Sequence, residues 1–258
     1  MPWWQDGNPG SGVACFILQD LKYIERCLQF FTERKNTIYF APTKEYFPID
    51  PSDNHTCEQI NSNQANQPDS MNSTICSNLK QIHNRIQNTC KQIGRDPGEV
   101  QLIAVSKTKP LSAIEEAIDC GQIAFGENRA RELQEKMEQL DESDVEWHYV
   151  GPMQTNKIKY MAPRVNWIHS IYKKKYFDEI EKRATDAGRV INTLIQVNIS
   201  REDQKQGCKP AHVPQLLEHA KSMSHLKVCG LMGMASFTDD RDQIREEFKV
   251  LKRTLEEN

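Results

Sequence analysis

The feature that most constrains this chain is an alternation that begins near residue 100. Short apolar runs rich in β-branched residues are followed by stretches whose apolar residues recur three and four apart. "VQLIAV" leads into "LSAIEEAIDCG", "QIAFGEN" into "RARELQEKMEQL", and "WHYVG" into "QTNKIKYMA". "VNWIHSI" leads into "KKKYFDEIEKRATDAG", "NTLIQVNIS" into "PQLLEHAKSM", and "LKVCGLMGM" into "DDRDQIREEFKVLKRTLEEN". Repeated strand–helix units predict a parallel sheet with helices outside it. An open doubly wound sheet calls for a glycine-rich phosphate loop after its first strand. Here the first strand runs into Ser-Lys-Thr-Lys-Pro, with no glycine. A (β/α)₈ barrel is the other solution, but it needs eight strands, and this alternation supplies about six.

Ahead of the first strand, Ile75, Leu79, Ile82, Ile86, Cys90 and Ile93 form one apolar helix face, which Gly94 ends. Ser112 with Glu115 reads as a capping box for the next helix, and Gly121 as its stop. In the last helix Ile244, Phe248, Leu251 and Leu255 share a stripe.

Residues 1–70 have a different character. Residues 50–70 are rich in Asn, Gln, Ser and Pro and read as a disordered linker. The preceding "VACFILQDLKYIERCLQFF" reads as a short apolar helix without a partner layer. The expected organisation is a poorly ordered extension over 1–70 and an incomplete barrel over 71–258, with Met71 as an alternative start.

The formal net charge of −3 and pI near 6.2 give no general attraction to nucleic acid or acidic membranes. No apolar run approaches the roughly 18–20 residues that span a bilayer. The eight cysteines show no C-x-x-C and no tight spacing with histidine, which argues against a metal site and for free thiols in a reducing compartment. Neither a secretory nor a mitochondrial leader is evident, so the expected location is the cytoplasm.

Polar residues gather where the strands end: Lys107, Glu127-Asn128, Gly151 and Gln154, Asn198 and Ser200, and Met232 beside them. In a parallel barrel these ends share the face that carries active sites. A lysine held there against apolar walls loses hydration, which favours the neutral amine able to attack a carbonyl. A solvated loop lysine is the plainer reading of Lys107 taken alone. His148 reads either as a satisfied core histidine or as a ring beside a ligand, and Lys205 either as a solvent-exposed loop residue or as part of the site. Gln196 and Asn198 share a strand face, and buried amides need partners.

Taken together, "LIAVSKTKP", "FGEN", "EWHYVGPMQTNK", "LIQVNIS", "DQKQG" and "GLMGM", in this order and spacing, resemble the pyridoxal 5′-phosphate (PLP) homeostasis protein family of the YggS/PROSC type. The resemblance runs from about Met71 to the chain end. It implies a fold-type III PLP barrel like the N-terminal domain of alanine racemase, here truncated to about six strands. It implies that Lys107 is the Schiff-base lysine and that Asn128 lies beside the cofactor. His148, Asn156 and Met232 would surround the same cavity, and Lys205 would stand near its entrance. The family barrel goes on to a strand ending in Ser-x-Gly-Met-Ser and another ending in Arg-Ile-Gly, which hold the phosphate. This sequence reaches Asn258 before either, so the phosphate cup is expected to be absent and two sheet edges exposed.

The function so implied is a monomeric PLP carrier in vitamin B6 homeostasis, without turnover. It would contain no metal and no catalytic residue, and its partners would be PLP and PLP-dependent apoenzymes as recipients. A fold-type III PLP enzyme, such as an amino-acid racemase or decarboxylase, is the second reading and would need a further catalytic group. A truncated, non-binding isoform is the third.

Overall fold

The computed structural model describes residues 74–140, 145–200, 205–236 and 238–258, together with the backbone of 13–18 and 36–40. The strands are β1 (Val13–Leu18), β2 (Asn36–Phe40), β3 (Val100–Val105), β4 (Ala124–Glu127), β5 (Glu146–Tyr149), β6 (Trp167–Ile171), β7 (Ile191–Val197) and β8 (Leu226–Gly233). The helices are α1 (Thr74–Gln92), α2 (Leu111–Asp119), α3 (Ala130–Gln139), α4 (Thr155–Met161), α5 (Lys174–Asp186), α6 (Val213–Ala220) and α7 (Arg241–Glu256). From β3 to β8 each strand pairs in parallel with the next, and a helix follows every strand, as the alternation predicts.

The ends of this six-stranded arc are not exposed edges. β1 pairs in parallel with β8, with Val13 opposite Gly230, and with β2; β2 pairs with β3, with Asn36 opposite Val100. The sheet is a closed barrel in sequence order. The expected arc of six parallel strands, β3 to β8, is present; what is corrected is the expectation that its two edges are exposed, since β1 and β2 pair with them. The two positions between β8 and β3, where the resemblance expects the Ser-x-Gly-Met-Ser and Arg-Ile-Gly strands, are filled by residues from the N-terminal region. The physical reason is that an edge strand carries unpaired N–H and C=O groups, and closure removes them. The helix expected over 13–31 is corrected in its first part, since Val13–Leu18 is a strand. The linker expected over 50–70 and the alternative start at Met71 lie outside the described residues.

Side chains divide by the period of two. Leu102, Phe125, Trp147, Ile168, Ile195 and Leu231 belong to the large core between barrel and helices. Ile103, Val105, Ala124, Leu194 and Met232 form a second cluster inside the barrel. The α1 stripe packs as expected, with Ile86 and Cys90 buried and Ile75, Leu79, Ile82 and Ile93 against them. Ile244, Phe248, Leu251 and Leu255 of α7 are buried in the same way.

Helix ends show one agreement and one correction. Gly94 and Gly121 adopt φ of 68° and 87° and stop α1 and α2. The capping box at Ser112 does not form. Helix α2 begins at Leu111 after Pro110, with no side-chain cap, so Ser112 lies inside the first turn. The free-thiol reading is also corrected: Cys76 and Cys120 are disulfide-bonded, with Cα atoms 5.4 Å apart, because α1 packs beside α2. Among the described residues Cys90, Cys208 and Cys229 form no disulfide. Among the described residues no group of His, Cys, Asp and Glu could hold a metal ion, and no helix is long and apolar enough to cross a membrane.

Candidate functional site

The C-terminal ends of β3, β4, β7 and β8 bring the candidate residues to one mouth of the barrel. β3 alternates Ile103 and Val105 inward, and the ladder continues one step further, where Ser106 N–H donates to the Gly126 carbonyl at 2.9 Å. Continuing that alternation puts Lys107 on the inner side. It is half-buried, while Lys109 is exposed.

The chain then turns sharply. Thr108 has φ of 62°, a conformation that costs a β-branched residue roughly 1–2 kcal/mol. Lys109 N–H closes the turn on the Ser106 carbonyl at 3.0 Å. Behind the wall, facing α3, lies a set of charged groups. Ser106 Oγ donates to Glu127 Oε1 at 2.7 Å, and Thr108 N–H to Glu132 Oε1 at 2.5 Å. Lys136 Nζ donates to the Ser106 carbonyl at 2.8 Å, to Glu127 at 2.6 Å and to Glu132 at 2.9 Å. Burial raises the Glu127 carboxyl above its ordinary range, against the bonds from Lys136 and Ser106. Burial also opposes charge on Glu132, but the bonds from Lys136 and Thr108 outweigh it and lower that carboxyl.

Asn128 follows β4. Its Oδ1 is buried and has no hydrogen-bond partner among the described residues. Gly151, after β5, lies against it so closely that a Cβ would fall 2.0 Å from the Asn128 carbonyl oxygen. Only glycine fits there, which explains the glycine in "HYVGP". On β7 the buried Gln196 donates to the Gln206 carbonyl at 3.3 Å, while its Oε1 has no partner. The loop after β7 folds back over the strand, with Cys208 N–H on the Gln196 carbonyl and Asn198 N–H on the Cys208 carbonyl, both at 2.9 Å. Gly207 permits this at φ of 127°. Lys205 of that loop reaches the Ala235 carbonyl at 3.3 Å, so it ties the loop after β7 to the loop after β8. Glu247 of α7 in turn accepts from Ser236 N–H and Ser236 Oγ, each at 2.6 Å. Met232 is buried inside the barrel beside Ile103 and Leu194.

Two candidates lie elsewhere. His148 is inside the barrel but engaged by protein: its Nδ1 is 2.9 Å from His169 Nε2, its Nε2 is 3.6 Å from Glu146, and it stacks on Trp167. Burial pushes the His148 ring down and the His169 ring to about 3. Glu146 also accepts from Gln101 at 2.6 Å and from Trp167 Nε1 at 2.5 Å. Burial disfavours its charge, yet the pull of His148, Gln101 and Trp167 brings it to about 2. Asn156 is exposed in the first turn of α4 and lines a surface hollow with Met153, Gln154, Thr155, Lys175 and Tyr176.

Lys136 and Glu132 have no place in the sequence reading. The available signal was a lysine on the buried stripe of a helix, one turn from Leu133 and beside Met137.

A half-buried amine, two buried amide oxygens without partners and an apolar wall of Ile103, Val105, Leu194 and Met232 suit a small polar aromatic aldehyde. The residues present thus fit the ring and aldehyde end of PLP.

The alanine racemase N-terminal domain family matches residues 77–258. The pyridoxal phosphate homeostasis protein of Aquifex aeolicus is 37% identical over 182 residues, covering 70% of this chain and 80% of that protein. The Escherichia coli protein of the same name is 38% identical over 163 residues, covering 62% and 70%. Among solved structures, PipY of Synechococcus elongatus with PLP bound superposes with a TM-score of 0.62 at 28% identity, covering 71% of this chain and 81% of that one. A histidine racemase from Leuconostoc mesenteroides, at 14% identity and a TM-score of 0.54 over 70% of this chain and 46% of its own, shares the fold.

Proposed function

This chain belongs to the pyridoxal phosphate homeostasis proteins, within the alanine racemase N-terminal domain family, and from that premise we propose that it carries PLP on Lys107 without chemical turnover. The observation that carries the reading is the half-buried Lys107 two residues beyond the inward-facing Val105, at the same end of the barrel as the buried oxygens of Asn128 and Gln196.

Bound PLP supplies an aldehyde carbon that a primary amine can capture reversibly. Lys107 would be the residue that holds it, its primary amine being the nucleophile placed at the barrel mouth, with one water released on capture and taken up again on release. Asn128 Oδ1 and Gln196 Oε1 accept hydrogen bonds from the ligand's polar edge or from water held with it, which relieves two buried acceptors. Met232 and Ile103 give the ring an apolar surface. Lys205 fastens the two loops at the entrance. The recipients are PLP-dependent apoenzymes in the cytoplasm, and the carrier acts as a monomer.

Borohydride reduction of the PLP-treated protein tests this. One pyridoxyl group should appear on the peptide containing Lys107, and Lys107→Ala should lose both label and visible band while keeping its far-ultraviolet spectrum. Labelling of Lys109, Lys157 or Lys205 instead would overturn the assignment. Racemisation of added alanine by the PLP-loaded protein would replace the carrier reading with an enzymatic one.

A further inference from the structure

We infer that Lys136, Glu127 and Glu132 are positioning residues for the Lys107 amine, acting through the strained turn that carries it and not on the cofactor itself. The inference rests on the role of Lys107 proposed above.

A β-branched residue at φ of 62° stays there only when its surroundings over-determine it. The surroundings do so from behind the barrel wall. Lys136 spends its three N–H groups on the Ser106 carbonyl, Glu127 and Glu132. Glu127 holds Ser106 Oγ, and Glu132 holds the Thr108 N–H. The residues pinned are 106 and 108, the two neighbours of Lys107. Glu127 and Ser106 have the outward parity of their strands, and Lys136 lies on the buried face of α3. The set therefore fixes the backbone on both sides of Lys107 from the outer side of the wall.

An ordinary buried ion pair fastening α3 to the wall would need only the contact between Lys136 and Glu127. Here two bonds end on backbone atoms, the Ser106 carbonyl and the Thr108 N–H, that adjoin the functional residue. One of those residues is in a conformation that relaxes when released.

The test uses the whole chain and compares Glu132→Ala with Glu132→Gln, each with and without Thr108→Gly. Glycine adopts the left-handed region without strain, so a turn built on it has less need of the brace. PLP affinity is read by titrating the visible band of unreduced protein, and attachment to Lys107 is checked in a separate borohydride-reduced sample. Amide hydrogen exchange of the 106–110 segment is read in protein without PLP. Glu132→Ala should weaken PLP binding about tenfold, as expected for one lost charge-assisted bond, and should speed exchange at Thr108 and Lys109. Glu132→Gln keeps an acceptor oxygen and should stay within about threefold of the parent. In the Thr108→Gly background the loss from Glu132→Ala should shrink to about threefold. Equal losses in both backgrounds, or unchanged exchange at Thr108, would overturn the inference and leave only a structural fastening. Lys136→Met should show the same two effects more strongly; if it fails to fold, the Glu132 series still decides. Should the unaltered protein take no label on Lys107, the carrier reading fails, while the exchange series still reports whether the turn is held in this way.

Discussion

Near the N-terminal ends of its strands the barrel interior holds Gln101, Glu146, Trp167, His148 and His169 in one connected set of contacts. Near the C-terminal ends Asn128 and Gln196 each bury an oxygen that has no hydrogen-bond partner among the described residues. Both layers are polar, and both sit around the apolar cluster of Ile103, Val105, Ala124, Leu194 and Met232. In the lower layer Gln101, Trp167 and His169 hold Glu146 and His148, with His148 Nε2 3.6 Å from Glu146, so the layer stabilises the barrel and fixes its geometry. The upper layer leaves acceptors unmatched at a cost in stability, which is the usual state of a surface that a ligand completes.

That contrast is open to measurement. The largest effect should come from Glu146→Ala, which strips partners from Gln101, Trp167 and His148 together. Urea unfolding should show a loss of about 3 kcal/mol, and a loss below about 1 kcal/mol would mean that the lower layer is not the stabilising one. Next comes acid. In the unfolded chain each histidine takes up a proton near its ordinary value of 6.5, while the folded His169 stays neutral to about 3. Stability is therefore full above 6.5 and drains as the pH falls through that window, by about 2 kcal/mol between pH 7 and pH 5. Glu146, depressed to about 2 in the fold, adds a second loss as the pH falls from its ordinary 4.5 towards 2. His169→Leu should remove those roughly 2 kcal/mol and leave only the share of His148, whose ring burial also pushes down. A slope unchanged by that substitution would assign the acid sensitivity elsewhere.

The upper layer should respond in the opposite sense. Gln196→Leu removes one bond, to the Gln206 carbonyl, and should cost about 1 kcal/mol of stability while weakening PLP binding about tenfold. Asn128→Leu should be the mildest for the fold. It removes a buried unpaired oxygen, so stability should change by less than about 0.5 kcal/mol, with a similar loss of affinity. A large destabilisation by Asn128→Leu with unaltered PLP affinity would invert the comparison between the layers.

The arc from β3 to β8 was legible because its patterns are local: strand runs, helix stripes and glycine stops each lie within a few residues of one another. Lys107 was legible for the same reason, as a charge that breaks an apolar run. Closure by Val13–Leu18 was not. A short apolar run does not by itself distinguish a buried strand from a helix, and the partner that decides is β8, at the other end of the sequence. The capping box at Ser112 misled because the helix starts two residues early, after Pro110. The lower layer depends on side chains from β3, β5 and β6 meeting inside the barrel, and the Lys136 brace on α3 folding back over β3 and β4. Each is a meeting between elements that no single stretch of sequence contains.

The pairing of Val13 with Gly230 also bears on how the molecule comes to exist. During synthesis the first strand emerges long before its second neighbour has been made. Until β8 arrives, β1 has β2 as its only lateral partner, and the arc presents open backbone at both ends. Closing a loop of this length carries a large entropic cost and is repaid late. The seam between β1 and β8 should accordingly be the last contact to form in refolding. An incompletely synthesised chain would expose the sticky edges that the finished barrel hides, and so would be the species most in need of chaperones.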